Sequence, residues 1–243
     1  MHLLSIVLPC YNELPSIDLL HKKSLYITSN YDIEIIFLDN GSSDGTSSKF
    51  KSFPKNEKIK FISLPKNKGY GYGIKKAIQS CNGKYIGWTH ADLQTDLFDL
   101  IKVYDLIFQF NLNKNNAKLI IKGQRYARPI IDSTISNIMS IISLLLYFPL
   151  PAFEINAQPS IYDSEIKKFI KNAPNGYEFD IYIFILALTK GFKSVRFPVL
   201  FPKRVHGNSH WNINPLSKIS FIKRTFFYMI KLLIAKSIFR NKN

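Results

Sequence analysis

The segment GWTHADLQTD, residues 87–96, sets His90, Asp92 and Gln94 at alternate positions directly after an apolar run. In an extended segment, residues two apart point the same way, so these three groups would share one side of the chain. Carboxylate and amide oxygens suit hard divalent cations. Neutral imidazole is a poorer ligand for Mg²⁺ than for Mn²⁺. The spacing therefore predicts a site for Mg²⁺ or Mn²⁺ at these residues, with a helix-entry turn that binds no ion as the alternative.

Polar and glycine-rich segments follow four successive apolar runs. They are PCYNE at 9–13, DNGSSDGT at 39–46, PKNKGYGYG at 65–73 and THADLQTD at 89–96. Any one of them could be a turn with a helix cap. In open parallel sheets, however, ligands bind outside the carboxyl ends of the strands. The four segments together predict a ligand cleft at one edge of a sheet.

The elements that position these segments alternate along the first half of the chain. Short runs of β-branched, aliphatic and aromatic residues predict strands at 3–8, 34–38, 59–64, 85–88 and 119–121. Helical patterns predict helices at 15–28, 45–50, 70–80 and 97–110. The alternation predicts an α/β fold with a mostly parallel central sheet and helices on both faces.

The charge of the chain narrows its partners. Its 243 residues include 33 Lys and Arg against 17 Asp and Glu, a formal net charge of +16. Such an excess favours nucleic acid, phosphorylated small molecules or an acidic membrane surface, unless it serves solubility alone. A nucleic-acid partner is not expected, because the sequence has no recognisable nucleic-acid-binding module and no face of interleaved aromatic and basic residues.

The cysteines and the N-terminus indicate a compartment. Cys10 and Cys81 lie far apart and fit no metal-binding spacing, which indicates a reducing environment. The first residues lack the charged region and the cleavage site of a signal peptide. A cytoplasmic location is therefore expected.

The second half of the chain contains two segments suited to a membrane surface. Residues 133–153 carry no charge but include too many polar residues and prolines for a spanning helix, so they predict an interfacial helix or a buried core helix. Near the C-terminus, KISFIKRTFFYMIKLLIAKSIFR mixes apolar and basic residues and predicts an amphipathic helix on an anionic membrane. We expect one domain at 1–212 and a membrane-associating tail at 213–243.

An ordered series of motifs resembles the family 2 glycosyltransferases, which have the GT-A fold, and most of all their dolichyl-phosphate mannosyltransferase-like (polyprenyl-phosphate glycosyltransferase) branch. SIVLPCYNE, FLDNGSSDGT and NKGYGYGIKKAI resemble the nucleotide-binding half of these proteins. Four later motifs resemble the acceptor half: KGQRYARP, INAQPSIY, YEFDIYIFILALTKGFKSVRFPV and KRVHGNSH. The resemblance covers about residues 5–210. It implies an inverting enzyme that moves a sugar from a nucleoside-diphosphate sugar to a polyprenyl phosphate at the inner face of the cell membrane, and it leaves room for a membrane-protein partner.

The resemblance also implies which residues border the nucleotide. They are Pro9, Tyr11, Asn12, Glu13, Asp39, Asn40, Gly69 and Gly71. The Asp39 carboxylate would accept hydrogen bonds from the base or ribose. Asn40 stands where the family usually has a second acid, and a simple turn residue is the alternative. The two glycines predict a tight turn that lets the backbone approach the nucleotide, or only close helix–strand packing.

By the same resemblance, the segment around His90 would serve the departing diphosphate. A divalent cation bridging it lowers the cost of the charge that develops as the sugar leaves. Asp92 would thus be both a metal ligand and a catalytic residue. His90 stands where relatives commonly carry an acid. It would bind the metal, contact the ribose or sugar, or substitute in part for a metal when protonated.

The acceptor decides whether a base is needed. A lipid phosphate monoester is largely ionised near neutral pH, since its second pKa is about 6, and it needs cations rather than a base. By resemblance, Arg125 and Arg204 would hold it as bidentate guanidinium groups, whereas Arg128 and Lys203 are interpreted as surface residues. Asp180, where relatives have a Glu, would be the general base if the acceptor were a hydroxyl. Asn156 also departs from the family pattern.

Two other functions remain open on the sequence. One is an enzyme of the same family that acts on a glycan hydroxyl in surface-polysaccharide assembly, which would need Asp180 as base. The other is a non-catalytic nucleotide-binding homologue with a degenerate metal motif, for which His90 and Asn40 speak. This homologue would bind nucleotides without sugar turnover.

Overall fold

The computed structural model describes residues 2–112, 117–127, 130–202 and 215–240. Its strands are β1 (Leu4–Cys10), β2 (Ile33–Asp39), β3 (Ile59–Ser63), β4 (Tyr85–Trp88), β5 (Leu119–Tyr126), β6 (Ser160–Asp163) and β7 (Lys193–Leu200). Its helices are α1 (Leu14–Asn30), α2 (Thr46–Ser52), α3 (Tyr70–Ile78), α4 (Asp99–Leu112), α5 (Ile130–Tyr147), α6 (Lys167–Ile170), α7 (Glu178–Thr189) and α8 (Pro215–Arg240). A 3₁₀ turn at Ser164–Ile166 leads into α6.

The strands form one sheet in the order β3-β2-β1-β4-β6-β5-β7. All pairings are parallel except the two made by β6, which runs antiparallel to β4 and to β5. The carboxyl ends of the other six strands therefore lie at the same edge of the sheet, which we call the carboxyl edge. This confirms the predicted mostly parallel sheet.

Helices cover both faces of the sheet, as predicted. Strand residues alternate between two apolar clusters because successive side chains in a strand point to opposite faces. On one face, Val7, Ile36 and Trp88 pack with α3, α5, α7 and α8. On the other face, Ile6 and Phe37 pack with α1, α2 and α4.

The structure corrects the predicted extent of the sheet. Strand β5 continues to Tyr126, because Lys122 through Tyr126 pair with Arg196 through Leu200 of β7. The polar residues of this stretch break the apolar pattern that limited the prediction to 119–121. Strand β6 was not predicted at all, since its four residues follow a proline and give too short a pattern.

Helix α5 has two apolar sides with different surroundings. Ser143 and Tyr147 are buried, and the Tyr147 hydroxyl donates a hydrogen bond to the Met229 carbonyl of α8 at 2.7 Å. The outer side carries exposed apolar residues at helical spacing, which we call the α5 stripe: Ile138, Ile141 and Leu145 on the helix and Phe148 directly after it. The core interpretation is confirmed for the buried side of the helix, and the interfacial interpretation stays a prediction for the exposed side.

Helix α8 packs on the domain through Thr225 and Met229, which are buried. Its exposed residues include Phe227, Lys231 and Ile234, so its outer side is both basic and apolar. Across the described residues, neither α5, α8 nor any other helix combines the length and the hydrophobicity needed to cross a bilayer.

Candidate active site

The loops after β1 and β2 are joined at the carboxyl edge. Cys10 and Asp39 are paired in the sheet register, and the Asn40 amide continues the ladder by donating to the Cys10 carbonyl at 2.9 Å. The Asn12 amide donates to Ser42 Oγ and the Ser43 amide donates to Asn12 Oδ1, both at 2.9 Å. Asn12 has a φ of 57°, a left-handed conformation that asparagine tolerates. The predicted nucleotide-bordering loops are thus one rigid unit.

The predicted nucleotide residues differ in exposure. Pro9 and Tyr11 are half-buried, Asn12 is exposed, and Glu13 is buried. The Asp39 side chain is almost fully buried, and its Oδ1 accepts a hydrogen bond from the Ser42 amide at 2.8 Å.

Asn40 links this unit to the loop after β3. Its Nδ2 donates to the Gly69 carbonyl at 3.2 Å and to Asn67 Oδ1 at 3.4 Å. The neighbouring Gly41 has a φ of 78°, and a Cβ there would lie 2.5 Å from the Asn67 amide nitrogen. These contacts give Asn40 a structural role between two loops, and contact with a nucleotide stays a prediction.

The glycines of the GYGYG run lie against protein backbone. A Cβ on Gly69 would come within 2.4 Å of the Asn175 carbonyl oxygen, and one on Gly71 within 2.5 Å of the Pro174 carbonyl oxygen. Close approach of α3 to the loop before α7 therefore accounts for both glycines. The packing alternative has a direct structural basis here, whereas approach to a nucleotide stays a prediction.

The predicted metal segment is a turn and not an extended strand. Strand β4 ends at Trp88, and the backbone turns where Leu93 adopts a φ of 61°. Asp92 Oδ1 accepts a hydrogen bond from the Gln94 amide at 3.0 Å, and Gln94 Nε2 donates to the Pro202 carbonyl at 3.3 Å. The His90 and Phe201 rings lie 5.6 Å apart. The expectation that His90, Asp92 and Gln94 share one side of an extended segment was therefore wrong.

The donor set at this turn still fits a hard divalent cation. In the part of the chain that the structure describes, no three His, Cys, Asp or Glu side chains come together as a complete metal cage. A magnesium-like ion does not require one, because it commonly takes one or two carboxylates and completes its shell with waters and substrate phosphates. The carboxylate of Asp92, which is 7% exposed, and the carbonyl of Gln94 could supply the protein part.

Asp180 lies in a buried polar network beneath the turn. Its Oδ1 accepts from Trp88 Nε1 at 2.8 Å, and its Oδ2 accepts from the Tyr70 hydroxyl at 3.2 Å. The Tyr70 hydroxyl in turn accepts a hydrogen bond from Gln158 Nε2 at 2.7 Å. We call these four residues the Asp180 network. It joins α7, β4, α3 and the segment before β6.

A buried lysine lies beside this network. Lys122 of β5 has no exposed surface, donates to Ser160 Oγ, and lies 5.2 Å from the Phe184 ring centroid. Burial lowers the pKa of Lys122 to about 7, and the charge of Asp180 opposes this shift. Burial also raises the pKa of Asp180, against the charge of Lys122 and the hydrogen bonds from Trp88 and Tyr70. Each group offsets part of the cost of burying the other.

The predicted phosphate-holding arginine Arg125 is already paired. Its Nε and Nη2 bond the two Glu154 carboxylate oxygens at 2.8 and 3.1 Å, and its side chain is 10% exposed. Its guanidinium carbon lies 5.4 Å from the Phe201 ring centroid. The structure therefore places Arg125 near the metal segment, but in an ion pair that a phosphate would have to compete with or share.

The other basic residues named from the sequence lie outside the described residues. These are Arg128, Lys203 and Arg204, and their roles stay predictions. A further cation, the half-buried Arg196 of β7, was missed. It donates to the Gly123 and Glu154 carbonyls at 3.2 Å, which fixes the turn that carries Glu154.

Several residues of this site were not found from the sequence. Trp88, Tyr70 and Gln158 gave no signal, because aromatic and amide residues next to strands are common. Lys122 did have a recognisable sequence signal, because it is a charged residue that interrupts the apolar run LIIKG within a strand.

The fold is that of the GT-A glycosyltransferases. A glucosyl-3-phosphoglycerate synthase from Mycobacterium tuberculosis, solved with Mn²⁺, uridine diphosphate and glucosyl-3-phosphoglycerate, superposes with a TM-score of 0.68. The match covers 96% of this chain and 80% of that one, at 16% identity. At this identity the match confirms the predicted fold alone.

The sequence comparisons support the predicted resemblance to a family. Residues 5–113 match the model of glycosyl transferase family 2. A dolichyl-phosphate beta-glucosyltransferase from Dictyostelium discoideum is 28% identical over 156 residues, 60% of this chain and 46% of that protein. An undecaprenyl-phosphate 4-deoxy-4-formamido-L-arabinose transferase from Edwardsiella ictaluri is 22% identical over 228 residues, 89% of this chain and 65% of that protein. The predicted resemblance to family 2 is confirmed over the segment that matches the family model, which is a little less than half of the chain. The chain spans about half the length of the first of these relatives.

Proposed function

We propose that the protein is an inverting glycosyltransferase that moves a sugar from a nucleoside-diphosphate sugar to a polyprenyl phosphate at a membrane surface. The observation that carries the proposal is the placement of Asp39 at the end of β2 and of Asp92 after β4, at the carboxyl edge of a GT-A sheet in which these two strands flank β1. Two relatives whose names specify polyprenyl-phosphate acceptors support the acceptor class.

The donor end of the proposal follows from the chemistry of the loops. Asp39 is an acceptor-only group, which suits a hydrogen-bond donor of a base or ribose. Asp92 and Gln94 would hold Mg²⁺ or Mn²⁺, which would offset the charge of the departing diphosphate. The turn that presents them is stiffened by the Asp92–Gln94 hydrogen bond, so the oxygens are positioned before a donor arrives.

The acceptor end needs cations and no base. A phosphate monoester is a nucleophile that already carries its negative charge near neutral pH. Arg125 could take part by sharing its guanidinium between Glu154 and the phosphate, and Arg204 is proposed as the second cation. The engagement of both Asp180 oxygens by Trp88 and Tyr70 agrees with a reaction that does not call on Asp180 for proton transfer.

The membrane end of the proposal depends on the α5 stripe and α8. The stripe exposes Leu145 at 75% and Phe148 at 84%, in a segment without a charged residue from Ser133 to Phe153. Beside it, α8 exposes Phe227 together with Lys231. Apolar residues that insert at the acyl boundary and lysines that meet anionic headgroups are the features of an interfacial surface. We therefore propose a peripheral position on the cytoplasmic face of the membrane.

A second function is favoured by one observation. Burial raises the pKa of Asp180, and a carboxylate with a raised pKa is better matched to accept a proton near neutral pH. A family 2 enzyme acting on a glycan hydroxyl would use Asp180 in this way.

The deciding experiment incubates the protein with Mn²⁺, a panel of radiolabelled nucleotide sugars, and either polyprenyl phosphate in detergent or a water-soluble glycan. Label extracted into organic solvent only when polyprenyl phosphate is present supports the proposal. Label retained in a water-soluble glycan supports the hydroxyl acceptor. Nucleotide binding without transfer to either would contradict both and indicate a non-catalytic homologue.

A further inference from the structure

Gln158 carries a buried carbonyl oxygen that the protein does not satisfy. Its side chain is 3% exposed, and its Nε2 is held by the Tyr70 hydroxyl at 2.7 Å. Its Oε1 is buried and accepts no hydrogen bond from the described residues. Buried polar atoms are nearly always paired, so an unpaired one points to a missing donor.

The rest of the Asp180 network fixes which way this amide faces. The Tyr70 hydroxyl gives its single proton to Asp180 Oδ2, so it can only accept from Gln158. The donor on Gln158 is therefore the NH₂ group, and the oxygen is turned away from Tyr70. The carboxylate cannot rotate to release this arrangement, because Trp88 Nε1 holds its other oxygen.

The sheet register places Gln158 at the candidate active site. Ser160 pairs with Trp88 in the antiparallel β4–β6 ladder. Because β6 runs antiparallel to β4, the segment before Ser160, which contains Gln158, lies at the carboxyl edge where β4 ends. Asn156, on the same segment, also has a buried Oδ1 without a hydrogen-bond partner among the described residues. Two amide oxygens in need of donors thus lie on one segment at the carboxyl edge.

A sugar hydroxyl is the donor that suits both oxygens. A carbonyl oxygen accepts only, so a phosphate or a carboxylate in the site would leave it unpaired, whereas a hydroxyl donates. We propose that Gln158 is a specificity residue that accepts a hydrogen bond from a hydroxyl of the transferred sugar, and that Asp180 acts through Tyr70 as a positioning residue for it. The inference rests on the proposed function and adds how the sugar is recognised.

The test compares, by calorimetry in the presence of Mn²⁺, the binding affinity for a nucleotide sugar with that for the nucleoside diphosphate alone. Two pairs of probes are titrated: UDP-glucose with UDP, and GDP-mannose with GDP. In Gln158→Leu, we expect affinity for the bound nucleotide sugar to fall about tenfold, because a site built for a hydroxyl loses its acceptor. Affinity for the matching nucleoside diphosphate should stay within about twofold. Gln158→Met, which keeps the volume on a flexible chain, replaces the leucine variant if that one does not fold.

Tyr70→Phe tests the positioning role by a double-variant cycle. This change frees the amide, so we expect a smaller loss for the nucleotide sugar and none for the nucleoside diphosphate. Combined with Gln158→Leu it should add nothing, because both act on one oxygen. Tyr72→Phe, which removes another hydroxyl from α3 outside the network, is the matched control and should bind both probes like the wild type.

Four outcomes would overturn the inference. Equal losses of affinity for the nucleotide sugar and for the nucleoside diphosphate would show that Gln158 has only a structural role. Additive losses in the double variant would show that Tyr70 does not act through Gln158. Unchanged affinity of Gln158→Leu for the nucleotide sugar would show that Gln158 does not bind the sugar. A wild-type protein that binds neither pair of probes would overturn the proposed function, and the inference with it.

Discussion

At the scale of single residues, Asp92 in the turn after β4 is the side chain whose charge should matter most for activity. Asp92 is the one carboxylate among the three residues predicted to bind the metal. Its Oδ1 also holds the Gln94 amide, so the same group shapes the turn and offers a ligand. Asn at this position would keep the turn and lose the charge, which makes the residue testable without loss of fold.

We predict that Asp92→Asn lowers turnover about 100-fold or more, because charge stabilisation at the leaving group is lost. The measurement is initial-rate transfer across a Mn²⁺ series, with a chelator arm for the wild type. Asp96→Asn is the control, since Asp96 lies in the same segment but pairs with Lys23 at the surface, and it should keep wild-type turnover. Equal wild-type turnover in chelator and in Mn²⁺ would contradict the metal site.

Lys122 gives a second prediction at this scale. Its pKa is about 7 in the folded protein and about 10.4 in an unfolded chain. Between these values the unfolded state binds more protons, so the free energy of unfolding should rise with pH, by at most about 1.4 kcal/mol per pH unit. Lys122→Met should remove this rise. Denaturant unfolding at pH 7, 8 and 9 measures the difference between wild type and variant.

Lys118→Met is the matched control for that experiment. Lys118 precedes β5 and forms a half-exposed pair with Glu165, so its removal should leave the pH slope of the wild type unchanged. If Lys122→Met kept the full wild-type slope, another group would be its source.

At the scale of elements, one buried carboxylate joins the strands on the nucleotide side of the sheet. Glu34 of β2 has no exposed surface and accepts from Lys60 of β3 at 2.8 Å, from Ser5 of β1, and from the Asn82 amide before β4. Burial opposes its ionisation, but these hydrogen bonds outweigh burial and lower the pKa of Glu34. The carboxylate therefore fixes the spacing of strands whose opposite ends carry the site.

Glu34→Gln should destabilise the protein by about 2 kcal/mol or more, since it removes the charge that Lys60 pairs with. A lowered pKa means that this stabilisation is present above the ordinary pKa of a glutamate and is lost as the pH falls through the folded value. The difference between variant and wild type should thus shrink below about pH 4. Asp18→Asn, which breaks an exposed pair with Lys49, should cost less than about 0.5 kcal/mol.

At the scale of the whole molecule, the site and the two surface helices belong to one packed unit. Arg224 of α8 pairs with Glu178 of α7 at 2.7 Å, two residues before Asp180. The rings of Tyr177 and Phe221 lie 6.1 Å apart, and Tyr177 stacks on Tyr70 at 5.4 Å. The helices proposed to meet the membrane are therefore in contact with the elements that carry the Asp180 network.

We predict that Leu145→Glu combined with Phe148→Glu abolishes co-sedimentation with vesicles containing anionic lipid. The two exposed apolar side chains that are proposed to insert into the membrane are replaced by carboxylates, which an anionic vesicle repels. The control is Leu19→Glu on α1, an exposed apolar residue on the other face of the sheet, which should sediment like the wild type. Wild-type protein that binds neutral and anionic vesicles equally would contradict the role of the lysines.

The sequence by itself predicted the resemblance to family 2, the α/β alternation and the four strand ends, because these depend on local periodicity and on motifs that are contiguous in the chain. It could not supply the Asp180 network, the pairing of Arg125 with Glu154, or β6. Tyr70, Trp88, Gln158 and Asp180 are separated by up to 110 positions, and only the tertiary fold brings their polar atoms within hydrogen-bonding distance. Burial then decides the rest: it shifts the pKa values of Lys122 and Asp180 and leaves the Gln158 oxygen in need of a donor, and burial is a property of packing.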